Sequence, residues 1–280
     1  MTLHMRRMET ADIDLGMQLK SEAGWNQTVA DWRRCLDLEP EGCFVAEWEG
    51  HPVGSTTTCV FGSIGWIAMV LVNKAFQHRG IGTRLVQNAL DYFEHRAVTT
   101  ARLDATPLGR PVYERMGFVA EHELVRLEGI AKAAPSQTDV VAARSEHRES
   151  IVALDRRATG TDRGRLVDRL LSERPKEVGV VLRDASLLGY VMLRSGSRAT
   201  QIGPGIATTD ASGRALCDWA YGQCEGQPVF IDVPRNNRPA IEWACSKGLR
   251  EQRHLTRMVR GEPVAEQVSL LWASSGPEKG

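Results

Sequence analysis

The sequence predicts a mixed α/β protein built from two successive domains that share one element order. Strand-like and helix-like segments alternate along the 280 residues, which is typical of a mixed sheet covered by helices. A loop with two glycines, Gly80 and Gly82, joins an apolar strand-like run to an amphipathic segment. The order of elements returns, in weaker form, in the second half. A chain of this length is long for one compact domain and sufficient for two of about 140 residues.

The first half opens with a short strand near 3–8 and helical sequence from about 10 to 38, interrupted at Gly24-Trp25-Asn26. Glu49-Gly50-His51-Pro52 is a hairpin signal between two strand-like runs. After the glycine loop, apolar residues recur at helical spacing. The remaining segments are strands at 43–48, 53–60, 66–72, 99–105 and 118–127 and helices at 83–94 and 111–116.

The second half repeats this order. A shift of 131 positions superposes Gly82 on Gly213 and Gly117 on Gly248, and the matching element order indicates an internal duplication. The predicted segments are a strand at 140–143, helical sequence over 149–171, hairpin strands at 179–183 and 188–193, an apolar segment with Ile202-Gly203-Pro204, a helix at 212–221 and a strand at 229–233.

Domain boundaries follow from local composition. The segment 129–138 is small, polar and contains a proline, which is typical of a linker. It separates a first domain at 1–128 from a second domain at 139–265. Residues 266–280 are predicted to be a tail, disordered from 274 to 280.

Composition excludes several classes of protein. The 35 basic and 35 acidic residues cancel, which argues against a partner that is duplex nucleic acid. No apolar stretch approaches the roughly 20 residues of a membrane span, and the N-terminus lacks the apolar region of a secretory signal. Six cysteines without CxxC or metal-like spacing predict reduced thiols, no metal site and a cytoplasmic location.

Residues 69–86 combine a strand, a turn, a glycine-spaced loop and a helix. A helix N-terminus presents unpaired N–H groups and the positive end of the dipole, which suits a phosphate. Gly80 and Gly82 allow a pyrophosphate to approach the backbone, although two glycines are equally compatible with a plain strand-to-helix turn. The sequence has no GxxxxGK[ST], which excludes a P-loop, and no GxGxxG near its start, which argues against a dinucleotide fold.

A second motif follows about thirty residues later, at 103–118: Leu-Asp-Ala-Thr-Pro-Leu-Gly-Arg-Pro-Val-Tyr-Glu-Arg-Met-Gly-Phe. Together with Gln77-His-Arg-Gly-Ile-Gly82, it resembles the GNAT N-acetyltransferase superfamily, which has a Q/R-x-x-G-x-G/A loop and then Tyr-x-x-x-Gly-Phe. The resemblance covers residues 3–128. Gly24-Trp25-Asn26, Asp31-Trp32 and the duplicated half further resemble a bacterial subgroup with an N-terminal GNAT domain and a degenerate C-terminal GNAT-like domain.

The resemblance implies a coenzyme and the residues that bind it. The cosubstrate would be acetyl-CoA, whose pantetheine arm would pair with the backbone of Val70, Leu71 and Val72. One of these amides would also polarise the thioester carbonyl. The pyrophosphate would lie on the loop and the start of its helix, that is on Gln77, His78, Arg79, Gly80, Ile81, Gly82 and Thr83.

The resemblance also implies that Tyr113 faces the coenzyme sulfur. Attack by a neutral amine expels a thiolate whose conjugate thiol has a pKa of about 8.5, and a phenol with a pKa near 10 in hydrogen-bond reach can donate a proton to it. The alternative is a tyrosine packed on Phe118. Thr106 departs from the family pattern, which has asparagine there in many members, so a coenzyme contact at Thr106 is not expected.

The acceptor and a base are less defined by the sequence. Trp25 and Asn26 fall between the first two helices, where the acceptor of the family binds, and Trp25 could form an aromatic wall for an amine or close the core. Candidates for a general base are named only by their proximity to the expected cleft: Glu22, Asp31, Glu47, His51 and Asp104. Water can also carry the amine proton away.

The second domain lacks the chemistry of the first. Its aligned loop keeps only Gly213, and Ala244 stands opposite Tyr113. The sequence therefore predicts a single site, which transfers acetyl to the amine of a small molecule, in a monomer or homodimer. The alternatives are a non-catalytic acyl-CoA-binding or regulatory module and a protein N-acetyltransferase.

Overall fold

A computed structural model describes residues 2–133, 139–184 and 186–278. The first half follows the predicted order of elements. Its strands are β1 (Leu3–Arg7), β2 (Phe44–Trp48), β3 (His51–Phe61), β4 (Ile64–Val72), β5 (Thr100–Ala105) and β6 (Val119–Ile130). Its helices are α1 (Ile13–Glu22), α2 (Val29–Leu38), α3 (Ile81–His95) and α4 (Arg110–Arg115).

The second half repeats this order. Its strands are β7 (Val140–Ala142), β8 (Val178–Arg183), β9 (Ser186–Arg194), β10 (Thr200–Ala207), β11 (Pro228–Pro234), β12 (Arg250–Gly261) and β13 (Leu271–Ala273). Its helices are α5 (Arg148–Thr159), α6 (Gly164–Glu173), α7 (Asp210–Gly222) and α8 (Arg238–Ser246). The predicted helical region at 149–171 is thus two helices, with the left-handed Gly160 ending the first.

The helices cover the sheet with their apolar sides. In α3 the residues Leu85, Val86, Ala89, Leu90 and Phe93 are buried at helical spacing. The middle of β4 is buried on both faces, which explains its continuous apolar sequence. No helix among the described residues is long and apolar enough to cross a bilayer.

The two halves share one sheet because they exchange their last strands. The order of the sheet is β1-β2-β3-β4-β5-β12-β6-β11-β10-β9-β8-β7. Strand β12 lies antiparallel to β5, with Thr256 opposite Ala105, while β6 pairs with β12 and with β11. Each half therefore completes the sheet of the other, and the halves are held together by main-chain hydrogen bonds.

Two sequence expectations need correction, and three elements were missed. The predicted linker begins inside β6, which continues to Ile130, and residues 134–138 lie outside the described residues. The tail predicted to be disordered is packed: Ser274, Ser275 and Glu278 are buried, while 279–280 lie outside the described residues. The elements α8, β12 and β13 were not predicted.

Candidate active site at a gap between parallel strands

Strands β4 and β5 lie side by side only at their beginnings. They pair in parallel over three residue pairs, the last of which is Trp66 with Arg102, and they separate beyond it. The register of β4 against β3 shifts at Met69, whose φ is 50°, and this bulge bends β4. The peptide groups of Val70–Val72 on the β5 side thus have no strand partner in the described sheet. A gap opens there.

Helix α3 begins beside β4. Its N-cap is Gly80, whose φ of 77° is a left-handed conformation that favours glycine. A Cβ at Gly80 would meet no atom within 4 Å, and one at Gly82 would meet only Val72 Cγ2, at 3.9 Å. The space in front of the first helical turn is therefore open, and its N–H groups are accessible to an anion. Gln77 fixes the loop because its side-chain amide donates to the carbonyl of Val72 at 3.0 Å.

The loop that leads into α3 carries positive charge. Lys74, Arg79 and Arg84 have no carboxylate within ion-pair distance among the described residues. The guanidinium of Arg79 lies over the rings of Trp48 and Phe76, at 5.3 and 5.4 Å. His78 is exposed in a left-handed conformation with φ 62°. This surface complements a pyrophosphate.

A cavity of about 30 Å³ lies between the separated strands and α4. The first half lines it with Trp25, Gln27, Met69, Val70, Thr106 and Tyr113. Tyr113 packs edge-to-face on Phe118, with ring centroids 6.0 Å apart, and its hydroxyl has no hydrogen-bond partner among the described residues. Burial raises the pKa of Tyr113 to about 12, so the phenol stays protonated at neutral pH.

The second half supplies the other wall of this cavity, with Arg253 and Leu255 of β12 and Pro277 and Glu278 of the C-terminal segment. The indole of Trp66 donates to the Pro277 carbonyl at 3.3 Å. The buried carboxylate of Glu278 accepts from Arg194 at 2.8 Å and from the amide of Gln27 at 3.2 Å. These contacts hold the end of the chain against the first half.

The two acceptor candidates have different positions. Trp25 lines the cavity and also packs against the core. Asn26 is buried, and its side chain binds the backbone of the second half: it donates to the Ala199 carbonyl at 2.9 Å and accepts from the amides of Arg198 and Ala199. Since its amide is committed to these bonds, Asn26 connects the halves, and its predicted role in binding the acceptor is not retained.

The candidates for a general base are paired with arginines or lie outside the cavity. Asp104 alone among them lines it, and its carboxylate accepts two hydrogen bonds from Arg257, at 2.9 and 3.0 Å. Asp31 is buried against Arg34 and Arg194. Glu47 pairs with Arg6, while Glu22 accepts from Asn73 and from the backbone of Lys74, and His51 is exposed at the start of β3.

The comparisons with known proteins agree with this geometry. Residues 12–118 match a profile described as "Acetyltransferase (GNAT) family", and residues 151–273 match one described as "Acetyltransferase (GNAT) domain". The chain belongs to the GNAT acetyltransferase family. Its two halves are tandem GNAT folds, and the protein is an acetyl-CoA-dependent N-acetyltransferase.

Three similar proteins match this GNAT protein over most of their length. It is 25% identical over 254 residues to the holothin acyltransferase of Pseudoalteromonas sp. (strain SANK 73390), which covers 88% of this chain and 84% of the relative. A putative acetyltransferase from Pyrococcus horikoshii has the same fold, with TM-score 0.85 at 23% identity over 99% of this chain and 96% of the other. A tandem GNAT protein from the clavulanic acid biosynthesis pathway superposes with TM-score 0.65 at 16% identity, over 94% and 99% of the two chains.

In the second GNAT half the equivalent gap is filled by the chain itself. Strands β10 and β11 also separate after three parallel pairs, beyond a register shift at Gly203-Pro204. Strand β13 lies in that gap, antiparallel to β10, and Ser274 donates its amide to the Asp232 carbonyl of β11 at 2.8 Å. The ring of Trp272 covers the start of α7, where a Cβ at Gly213 would lie 1.9 Å from it.

Several residues of the cavity were not predicted from the sequence. Gln27 adjoins the predicted Trp25-Asn26 pair, and its proximity to that pair is the one available signal. Arg253 and Glu278 reach the first-half cavity only because strands are exchanged and the C-terminal segment returns across the sheet. Neither feature has a local sequence signature. Among the described residues, no group of three His, Cys, Asp or Glu side chains is arranged to hold a metal ion.

Proposed function

We propose that this protein transfers the acetyl group of acetyl-CoA to the amine of a small molecule at its first-half site, with Tyr113 as the acid for the leaving thiolate. One observation carries the proposal. The cavity that contains Tyr113 lies in the gap between β4 and β5, and the glycine loop lies beside the same strand β4. A coenzyme whose phosphates bind the loop would extend along β4 to present its thioester beside Tyr113.

The binding residues follow from the free backbone groups. Gln77, His78, Arg79, Gly80, Ile81, Gly82 and Thr83 would hold the pyrophosphate, chiefly through N–H groups of the loop and of the first turn of α3. Val70, Leu71 and Val72 would take the pantetheine arm as an additional strand, because no described strand pairs with this part of β4 on the β5 side. The open space at Gly80 and Gly82 supports this assignment.

The reaction proposed is a direct transfer. The lone pair of a neutral amine forms the new C–N bond at the thioester carbon, and a free amide of β4 donates to the oxygen as negative charge develops there. The C–S bond then breaks, and its electron pair stays on sulfur, which takes the proton of Tyr113. The nitrogen loses its extra proton to water, and the tyrosinate regains one from water.

The raised pKa of Tyr113 limits how this acid works. A buried phenol with a pKa of about 12 is a weaker acid than a free thiol with a pKa of about 8.5, so complete proton transfer to an unperturbed thiolate would be uphill by about 5 kcal/mol. Burial also raises the pKa of a thiol in the same cavity, which makes the difference between the pKa values of the phenol and the thiol smaller. The hydrogen bond from Tyr113 therefore stabilises the thiolate as it forms, and the proton moves late in bond cleavage.

The cavity favours a small acceptor over a protein. Pro277 and Glu278 of the second half form one of its walls. A lysine or N-terminus on a folded protein would have to displace this segment, which Arg194 and Trp66 hold in place. We propose that the second half walls the acceptor site and has no coenzyme site of its own.

The test is turnover on a panel of amines. The protein is incubated with acetyl-CoA and each amine, and free thiol is followed over time. Acetyl-CoA-dependent thiol release with a small amine, and formation of its amide by mass spectrometry, support the proposal. Coenzyme binding without turnover on any amine would favour a non-catalytic acyl-CoA-binding module. Turnover confined to protein acceptors would favour a protein N-acetyltransferase.

A further inference from the structure

Arg253 differs from the buried arginines of this protein. Each of the others faces at least one carboxylate within ion-pair distance: Arg34, Arg102, Arg126, Arg163, Arg194 and Arg257. Arg253 is half-buried, and among residues 2–133, 139–184 and 186–278 no carboxylate pairs with it and no group accepts from its side chain. Arg253 thus lines the cavity, and its guanidinium has no hydrogen-bond acceptor among the described residues.

The surroundings of Arg253 carry surplus positive charge. Burial lowers the pKa of Arg253, and the nearby Arg126 and Arg198 lower it further; Asp232 opposes this in part. The carboxylate of Asp232 is already bound by both Nε and Nη2 of Arg126, each at 2.7 Å. Since a partly buried cation without a partner is costly, an anion that binds here gains both hydrogen bonds and charge neutralisation.

The position of Arg253 relates it to the acetyl transfer. It lies on β12 just past the end of β5, because Thr256 is opposite Ala105, the last residue of β5. The same cavity holds Tyr113, Met69 and Val70, where the thioester is expected. The other charged side chain that the second half contributes to this cavity is Glu278, and Arg194 and Gln27 bind it. Among the described residues that line this cavity, Arg253 is therefore the charged side chain without a partner.

We infer that the acceptor is an amine that also carries a carboxylate, as an amino acid does, and that Arg253 binds this carboxylate while the amine faces the thioester. The planar fork of a guanidinium matches the two oxygens of a carboxylate, which fixes the orientation of the acceptor as well as its charge. This inference rests on the proposed function, since it names the substrate class of the same site.

The test compares matched amines. The panel contains α-amino acids, β-alanine and 4-aminobutyrate, each with its carboxamide and with the amine that lacks the acid group. The three matched amines also differ in basicity: the amine of the carboxamide is less basic than that of the acid, and the amine without the acid group is more basic. If the enzyme prefers the acid to both of them, basicity does not explain the preference and recognition of the carboxylate does. Initial rates give kcat/KM. Thermal shifts with free CoA and each amine report binding without turnover.

The variants are Arg253→Met, Arg253→Lys and the control Arg250→Met, an exposed arginine on the same strand. We expect the wild type to prefer one or more of the acids about 10-fold or more in kcat/KM. Arg253→Met should lose this preference through a higher KM for the acid. Its KM for acetyl-CoA and its rate with the amide should stay within about twofold. Arg253→Lys should restore part of the preference, and Arg250→Met should retain all of it.

Several outcomes would overturn the inference. The first is an equal kcat/KM for acid and amide in the wild type. The second is an equal loss of kcat/KM for acid and amide in Arg253→Met. The third is the same loss of preference in the control Arg250→Met. If no amine turns over, the proposed function fails separately, and the thermal shifts decide the inference. Stabilisation by acids over amides that Arg253→Met abolishes supports it, and no such difference overturns it.

Discussion

At the scale of single residues, Tyr113 is the group whose chemistry can be isolated. Its ring packs on Phe118, and its hydroxyl has no partner in the part of the chain that the structure describes, so removal of the oxygen leaves the packing unchanged. We predict that Tyr113→Phe lowers kcat about 100-fold, within the usual range for loss of a general acid. The Kd for acetyl-CoA should change less than twofold, as measured by calorimetry.

The control for this variant is Tyr221→Phe. Tyr221 is a buried tyrosine in the second half whose hydroxyl donates to the carbonyls of Ile130 and Lys247, at 3.3 and 3.4 Å, away from the cavity. Its loss should leave kcat unchanged. An unaltered kcat in Tyr113→Phe would contradict the acid role, and an equal drop in Tyr221→Phe would show a general effect on structure.

The raised pKa of Tyr113 also predicts a pH profile. The acid form is active and persists up to a pH near 12, because burial raises the pKa. As pH rises, kcat should therefore increase while the bound amine loses its proton, and then stay level to at least about pH 10. The measurement is kcat between pH 6 and 10 at saturating substrates. A decline between pH 8 and 10 that is absent in Tyr113→Phe would contradict the raised pKa.

Residues of the site were predictable where the chemistry is local. The loop Gln77–Gly82 and Tyr113 belong to short motifs, and each motif forms one strand-to-helix or helix-to-strand connection whose conformation depends on its own glycines. Arg253 and Glu278 could not be predicted, since they join the site through contacts more than a hundred residues apart in sequence. Asn26 was predicted to bind the acceptor because it lies between the first two helices. Its side chain instead bonds to the backbone of the second half, and the sequence does not indicate this direction.

At the scale of elements, the equivalent helices α3 and α7 differ in the free space at their N-terminal ends. In α3 a Cβ at Gly82 meets only Val72, at 3.9 Å, whereas in α7 a Cβ at Gly213 would lie 1.9 Å from the ring of Trp272. The space in front of the helix is open in the first half, and the ring of Trp272 occupies it in the second. Gly213 is therefore required for packing, which its alignment with Gly82 did not reveal.

This contrast predicts different effects of one substitution at two aligned positions. Gly213→Ala should lower the free energy of unfolding by about 1–3 kcal/mol through overpacking against Trp272. Gly82→Ala should leave it unchanged or raise it by up to about 1 kcal/mol, because alanine favours the helix. Urea unfolding of both variants measures the two effects. Equal stability of the variants would contradict the filled gap of the second half.

A buried ionic cluster ties β5, β6 and β12 to the segment that follows them. Glu266 accepts from Arg102 at 2.8 Å and from Arg257 at 3.0 Å, and its side chain is 4% exposed. The charges of Arg257 and Arg102 lower the pKa of Glu266 to about 2 against the desolvation that opposes them. The folded state therefore binds the ionised form more strongly than the unfolded state does.

We predict that Glu266→Gln lowers the free energy of unfolding at pH 7 by about 3 kcal/mol, because two buried arginines lose a partner. A carboxyl whose folded pKa is depressed contributes stability above its unfolded pKa of about 4.5, and this is lost as pH falls toward 2. The difference from wild type should shrink across that range in denaturant titrations. Glu262→Gln, an exposed neighbour, is the control. A difference that is independent of pH between 5 and 2 would contradict the lowered pKa.

At the scale of the whole molecule, the exchange of β6 and β12 gives the cavity beside Tyr113 lining residues from both halves. Strand β12 brings Arg253 and Leu255 beside the end of β5, and the C-terminal segment brings Pro277 and Glu278 over the cavity. The filled gap of the second half uses that same segment, since β13 immediately precedes it. The second half thus fills its own gap between parallel strands and lines the cavity of the first half.

The fold class and the duplication were predictable because alternating segments and their order are properties of the sequence itself. The exchange of strands between the halves was not predictable, because the apolar pattern of β6 is compatible with the sheet of either half. The packed C-terminal segment was taken for a tail because Ser274-Ser-Gly-Pro-Glu278 is small and polar. Its burial depends on partners such as Arg194 and Trp66, which lie far away in sequence.

The central claim is a single coenzyme site, in the first half, and calorimetric titration with acetyl-CoA tests it most directly. We predict one acetyl-CoA per chain for the wild type and for Gly82→Ala, because the family motif has glycine or alanine at this position. Gly82→Asp should bind none, because its carboxylate would repel the phosphates at the start of α3. Two molecules per chain, or one molecule retained by folded Gly82→Asp, would contradict the claim.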